Sequence, residues 1–305
     1  VAVGAGGSRA GIRSLVGVAL FEGLARFGTP EELFVAGLEL RAATTGDPLV
    51  EIAFGPHSAY ALGDDALRRI GAEARAHDML VHIHVAESRH EGDGVTERTG
   101  RTVPEHLFDL GVLEARVVAA HGVWLTDSDI ALLARHRVGV AHCPGSNGKI
   151  ASGIAPVAAM RKAGIPVSVS TDGPASNDNL DLLEEARLAL LYGRLRDQDA
   201  AALLVSDALA MVTREGAAAL GRDDLGALEP GRAADIVRID LDRPEYEPVA
   251  APDDVLNLLV WAGSSRDVTD VWVGGRRVVA DGRLTTLDLD ETRAAAREVA
   301  ARISG

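Results

Sequence analysis

The sequence predicts an α/β protein in which consecutive βα units build a parallel sheet, with a small β module behind it. Three observations carry that reading. Short apolar runs rich in Val, Ile and Ala recur between Ser14 and Asp172, each closing on polar residues. Helical stretches separate one run from the next. Beyond Pro230-Gly231 the pattern turns to short strands around a Gly274-Gly275 pair. Near-continuous apolar strands are expected in a sheet covered on both faces. Many βα units in a row suggest a barrel or a doubly wound sheet.

In chain order, strands are expected at Leu15–Leu20, Val50–Phe54, Leu80–Val85, Val117–Ala120, Val138–Ala141 and Val167–Ser170. Between them, Asp64–His77 sets Leu67, Ile70 and Ala74 at helical spacing behind an acidic start. Thr126-Asp127-Ser128-Asp129 reads as a helix cap with an acidic first turn. Six strands fall short of the eight that a (β/α)₈ barrel needs, and an open remnant has two unpaired edges. The chain alone is therefore expected to be unstable or to aggregate. After Ser176 the sequence is helical and Ala/Leu-rich to about Leu220. Ile236–Ile239, Val271–Val273 and Arg276–Val279 then read as strands, the last two joined by a two-residue hairpin loop, with a charged helix from Asp290 to Ile303. The expected domains are 1–224 for the sheet and its closing helices, 225–285 for the β module and 286–305 for the C-terminal helix.

Composition narrows the function. The 305 residues carry 31 Lys and Arg against 45 Asp and Glu, a net charge of −14. Binding to a phosphate backbone needs clustered cations, so no nucleic acid partner is expected. No run of about 18 apolar residues occurs, so no membrane span is expected. The opening Val1-Ala2-Val3-Gly4-Ala5-Gly6 lacks the basic start and apolar core of a signal peptide. The single cysteine, Cys143, cannot form an internal disulfide, which favours the cytoplasm. The chain starts on Val1 and not on Met, so processing or missing residues are expected there.

Polar residues gather where the strands end. His57 follows the second run, His84 and Glu87 close the third, His121 the fourth, His142 the fifth and Asp172 the sixth. In a barrel the carboxyl ends of the strands form the active-site face, so these groups are expected to converge. Imidazoles with a carboxylate and no cysteine cluster suit Zn²⁺ or another first-row divalent ion with an open position for water. Such an ion lowers the pKa of bound water towards ~7. A further carboxylate can then shuttle protons.

The motifs His84-Val85-Ala86-Glu87, Ala120-His121 and Ser170-Thr171-Asp172-Gly173-Pro174-Ala175-Ser176-Asn177 resemble those of the amidohydrolase superfamily. The likeness is closest to the branch of S-adenosylhomocysteine/methylthioadenosine deaminases and triazine chlorohydrolases. Gly55-Pro56-His57, the segment from Ala141-His142-Cys143-Pro144 to Gly153, and Gly226–Ile236 at the entry to the β module look like further motifs of that branch. The resemblance implies a (β/α)₈ TIM-type barrel whose first strands are missing from this chain, with a small β-sandwich-like module. It implies a metal-dependent hydrolase, of which hydrolytic deamination of an adenosine-type or related aminated nitrogen heterocycle is the leading activity. Triazine chlorohydrolysis and deamination of guanine-like rings are its rivals.

Position by position, the resemblance implies that His84 and Asp172 ligate one divalent ion, Zn²⁺ first and Fe²⁺ or another first-row ion second. Asp172 also takes the proton of the attacking water. Glu87 protonates a substrate ring nitrogen and passes protons to the leaving group. His121 orients or polarises the hydroxide, and His57 hydrogen-bonds the substrate. A small heterocyclic substrate is the implied partner, and homo-oligomers are usual in the family. Gly148 stands where relatives often carry a larger apolar residue, which implies a wider or less apolar pocket.

One departure is large. The family's His-x-His pair has no counterpart before Val1, and His82-x-His84 belongs to the later motif. His82 is thus expected to pack or to stand behind the ligands. The absent pair and the absent strands both point to a chain without its N-terminal portion. A non-catalytic scaffold that has lost its metal is the rival from another class. Cys143 is read as a buried small residue, and Glu184-Glu185 as a solvated helix face. Ser146-Asn147 reads equally as pocket lining or turn cap. The glycine-rich Ser88–Gly100 segment reads as a polar loop, with Arg89, Arg98 and Arg101 able to reach a substrate only if it folds inward.

Overall fold

A computed structural model describes residues 2–22 and 28–304; Val1, where the start of the chain was read, lies outside them. Six parallel strands form one sheet in sequence order: β1 (Ser14–Leu20), β2 (Val50–Pro56), β3 (Leu80–Val85), β4 (Arg116–His121), β5 (Gly139–His142) and β6 (Val167–Val169). Each expected strand is present, within a residue or two at its ends. Strictly sequential parallel neighbours are the arrangement a (β/α)₈ barrel has over six of its staves. Among the described residues β1 and β6 each pair with one neighbour, so both edges of the sheet stay open.

The helices form where local chemistry starts them. Thr29 caps Pro30–Thr44 in a capping box with Glu32, and Thr126 caps Asp127–Arg135 with Asp129 in the same way. Alternation along the strands then sorts two cores. Ile52, Phe54, Val81, Ile83, Ala119 and Val140 face outward and pack with Leu67, Ile70, Leu107 and Leu133 of the covering helices. On the inner face, Ala53, Leu80, Val118 and Ala141 form a thinner apolar layer. Above that layer, towards the carboxyl ends, the inner face turns polar.

The Ser88–Gly100 segment corrects the expectation of a loop. It is a helix, Arg89–Thr99, capped by the Ser88 hydroxyl and ended by Gly100 in left-handed backbone at φ 70°. Gly92 and Gly94 obscured it, because glycine lowers helix propensity without forbidding a helix whose face is buried. Val95 and Glu91 supply that face.

Beyond the sheet, helices Leu182–Asp197, Val205–Met211 and Arg214–Ala219 lead to a four-stranded antiparallel sheet. Its strands are β7 (Ile236–Ile239), β8 (Val268–Val273), β9 (Arg276–Ala280) and β10 (Arg283–Leu284), ordered β10-β9-β8-β7. Gly274 and Gly275, at φ 56° and 79°, make the turn between β8 and β9 that the sequence calls for. Asp181 joins the two parts, accepting hydrogen bonds from the Ser264 hydroxyl at 3.1 Å and the Ser265 N–H at 2.9 Å. The helix Leu289–Ser304 ends the described chain.

Candidate metal centre

His84 lies on β3 one residue before its end, and its ring is held by the strand beside it. Nδ1 donates to the carbonyl oxygen of His57 at 2.6 Å. A carbonyl only accepts, so the proton sits on Nδ1 and the Nε2 lone pair is free. His121, the last residue of β4, is set in the same way by a different partner: its Nδ1 donates to the Asn147 side-chain oxygen at 2.9 Å. The two rings stack with centroids 5.4 Å apart and planes 20° apart. Asp172 follows β6, and one of its oxygens, Oδ2, accepts from the hydroxyls of Ser146 and Ser176, both at 2.7 Å.

These three residues meet: ligand atoms of His84, His121 and Asp172 all lie within 4.8 Å of one another. Two imidazoles with fixed tautomers and a carboxylate form a donor set that fits a divalent ion of the zinc type. Burial pushes the Asp172 carboxyl up, but the Ser146 and Ser176 hydroxyls, the Gly173 N–H and the field of His121 outweigh it and hold the group below the ordinary carboxylate range. The anion is thus the resting form. His121 and Asp172 both occupy left-handed backbone, at φ 72° and 61°, as does Ala86 at 50°. Such strain gathers at functional sites, where the surroundings hold it in place.

Glu87 reaches the same rim, with its Oε1 at 3.8 Å from Nε2 of His121. His57 presents an exposed ring beside His84, with centroids 4.7 Å apart. Burial and the neighbouring His84 lower the pKa of that ring, against the pull of Glu87. His82, His84, Cys143 and Asp172 line a cavity of about 80 Å³ on the inner face. Of the two expectations for His82, packing fails, since it is exposed on the inner face of a sheet whose edges are open, where it lines the same cavity as His84 and Asp172. His142 is fully enclosed and its pKa is pushed down to about 3 by burial, so it is neutral at working pH. Cys143 is an enclosed thiol, a buried small residue as expected, and burial pushes its pKa up to about 12.

Ser146 and Asn147 do not line the cavity: both are buried, and each holds one of the converging side chains from behind. Two residues that sequence reasoning missed stand behind the rim. Glu185 is not a solvated residue but 1 % exposed. Its Oε2 accepts from the Gly145 N–H and its Oε1 from the Asn177 amide, both at 2.8 Å. Burial raises its pKa against those two bonds. Glu91 is 4 % exposed and accepts the Glu87 N–H at 2.8 Å. Its other oxygen has no partner among the described residues. Nothing in a Glu-Glu pair or a glycine-rich stretch announces burial.

Arg98 and Arg101 are turned elsewhere, to Asp64 at 3.0 Å and Asp109 at 3.1 Å, while Arg89 lies over the Trp124 ring at 4.2 Å. The space left by Gly148 is filled by Tyr192, whose hydroxyl would lie 2.8 Å from a Cβ placed there.

The chain is similar to several known proteins. A 5-methylthioadenosine/S-adenosylhomocysteine deaminase of Teredinibacter turnerae is 39 % identical over 271 residues, covering 88 % of this chain and 61 % of that protein. A crystal structure of an adenosine deaminase from Xanthomonas campestris with bound zinc superposes with a TM-score of 0.94 at 34 % identity, over 99 % of this chain and 68 % of that one. The zinc complex of the atrazine chlorohydrolase TrzN from Arthrobacter aurescens gives 0.87 at 28 %, over 96 % and 67 %. The chain spans about three fifths of the length of the curated relatives it matches. The model of the amidohydrolase family matches residues 31–278, a span holding every residue that converges on the rim. The family model spans most of the chain, the relatives share more than a third of its residues, and the chain belongs to the amidohydrolase family.

Proposed function

We propose that the protein is a metal-dependent hydrolase that deaminates an adenosine-type or related aminated nitrogen heterocycle. The observation that carries this reading is the convergence of His84, His121 and Asp172 within 4.8 Å, with Glu87 beside them. The deaminase names of its relatives supply the substrate class. Zinc is the proposed ion, from the donor set and from the zinc in similar structures. When bound, a divalent ion supplies Lewis acidity that lowers the pKa of water.

The chain's own residues do the rest. His84 and Asp172 would hold the ion, and His121, whose ligand atom lies within 4.8 Å of theirs, would orient the attacking water. Asp172 rests as an anion, so its carboxylate takes the proton of that water. Glu87 delivers its proton to a ring nitrogen, which makes the adjacent carbon more electrophilic, then takes the remaining proton of the added hydroxyl and passes it to the departing amine, and the proton held by Asp172 restores Glu87. His57 offers its exposed ring as a hydrogen-bond partner for the substrate. Residues 1–224 carry this chemistry, with 225–285 as a supporting β module and 286–305 as a terminal helix. The cytoplasm is proposed from the lone buried thiol, and homo-oligomers from the resemblance to the family. No helix among the described residues is long and apolar enough to cross a membrane.

The test uses protein made from the complete open reading frame, with metal analysis and ammonia release across adenosine analogues. The reading expects close to stoichiometric transition metal and ammonia from at least one analogue. Under about one-tenth equivalent of metal after loading counts for the non-catalytic scaffold, since a built site binds zinc tightly. A second reading, triazine dechlorination, is supported by the likeness to TrzN. It uses the same residues, and chloride release from a chlorotriazine distinguishes it.

A further inference from the structure

Resting on the metal-dependent reading above, we infer that Glu185 is a positioning residue that braces both sides of the metal centre through one buried carboxylate. It lies on the helix Leu182–Asp197, outside the strand-end series, and its two hydrogen bonds go to Gly145 and Asn177 and not to the converging side chains. Its two oxygens instead tie together two separate segments. Oε2 takes the N–H of Gly145, and the next two residues are Ser146, which donates to Asp172, and Asn147, which accepts from His121. Oε1 takes the amide of Asn177, and the residue before it, Ser176, donates to the same oxygen of Asp172. Every side-chain hydrogen bond described above for Asp172 and His121 thus comes from a segment anchored on Glu185.

Local chemistry shows that the arrangement is specific. A Cβ on Gly145 would collide with the Glu185 carboxylate, so glycine at 145 is what admits it. Serine and asparagine at 146 and 147 are buried, at 0 % and 1 % exposed, and cannot find other partners in water. Both oxygens of Glu185 face N–H donors, so a glutamine there must turn an NH₂ group towards one of them. Donor then faces donor, and one segment is released.

The experiment compares wild type, Glu185→Gln and the double variant Glu185→Gln/Asn177→Asp. In the double variant the bond polarity is reversed, with the amide introduced at position 185 donating to a carboxylate at position 177. Asn177→Ala, which removes the bond to Glu185 and the one that Asn177 Oδ1 accepts from the Leu180 N–H at a half-buried position, covers the case in which Glu185→Gln does not fold. Each is made from the complete open reading frame, loaded with Co²⁺ and read by its visible spectrum as well as by turnover. Glu185→Gln is expected to shift the cobalt bands and to lower kcat about 10–100-fold at full metal loading, as loss of a ligand's hydrogen-bonded support does. KM stays within about twofold, because no substrate contact is removed. The double variant recovers most of both readouts, and Asn177→Ala gives a smaller shift in the same direction. A cobalt spectrum and kcat unchanged from wild type in a folded Glu185→Gln or Asn177→Ala protein overturn the inference. If wild type releases no ammonia from any analogue while Glu185→Gln still moves the cobalt bands, the deaminase reading fails and the bracing role stands.

Discussion

The imidazole of His84 is aimed by the main chain of His57: Nδ1 of the one donates to the carbonyl oxygen of the other at 2.6 Å. The neighbouring strand therefore presets the nitrogen that a metal meets. The support is a backbone atom, which a substitution at 57 leaves in place.

His57→Ala is accordingly expected to keep metal affinity close to wild type. Loss of one substrate hydrogen bond, about 1 kcal/mol, raises KM roughly fivefold to tenfold. Metal titration and steady-state kinetics check this. A large loss of metal affinity with unchanged KM would assign the ring to the metal site instead.

Asp172→Asn keeps the shape and removes the negative charge. The amide is neither a good ligand nor a base, so turnover falls by at least about 10²–10⁴-fold. Single-turnover assays at saturating zinc separate the two roles, and retained activity removes Asp172 from the mechanism.

Glu87→Gln removes the group placed to protonate the substrate ring. A drop in kcat of about 10²–10⁴-fold is expected with metal content unchanged. A change confined to KM would make Glu87 a binding residue.

Glu91 supplies a test by pH. Burial pushes its carboxyl from 4.5 up to about 7. Below pH 4.5 both the folded and the unfolded chain hold the proton and the group has no effect. Between the two values the unfolded chain releases a proton that the folded chain keeps, so stability falls as pH rises, by on the order of 3 kcal/mol above pH 7. Glu91→Gln stays neutral throughout and is expected to be more stable than wild type at about pH 8 and nearly equal to it below about pH 5. Urea unfolding of chelator-stripped protein at the two pH values measures this, and parallel pH profiles would contradict it.

The six strands were legible because buried parallel strands carry unbroken Val, Ile and Ala runs, and the Gly274-Gly275 hairpin because few residues accept positive φ. His57, His84, Glu87, His121 and Asp172 were legible as a series, since each stands where an apolar run stops. The helix Arg89–Thr99 was not, because its two inner glycines disguise a face defined only by what packs on it.

Residue types and their order along the strands thus determined the barrel staves, the rim and the kind of ion it suits. Only the tertiary structure decided which nitrogen of each histidine stays free, and that Glu185 and not Glu184 is buried. Those choices depend on contacts 26 to 40 residues apart in the chain, as between His121 and Asn147 or Gly145 and Glu185. They arise from the packing of strand ends and helices far apart in the chain, which no local pattern encodes.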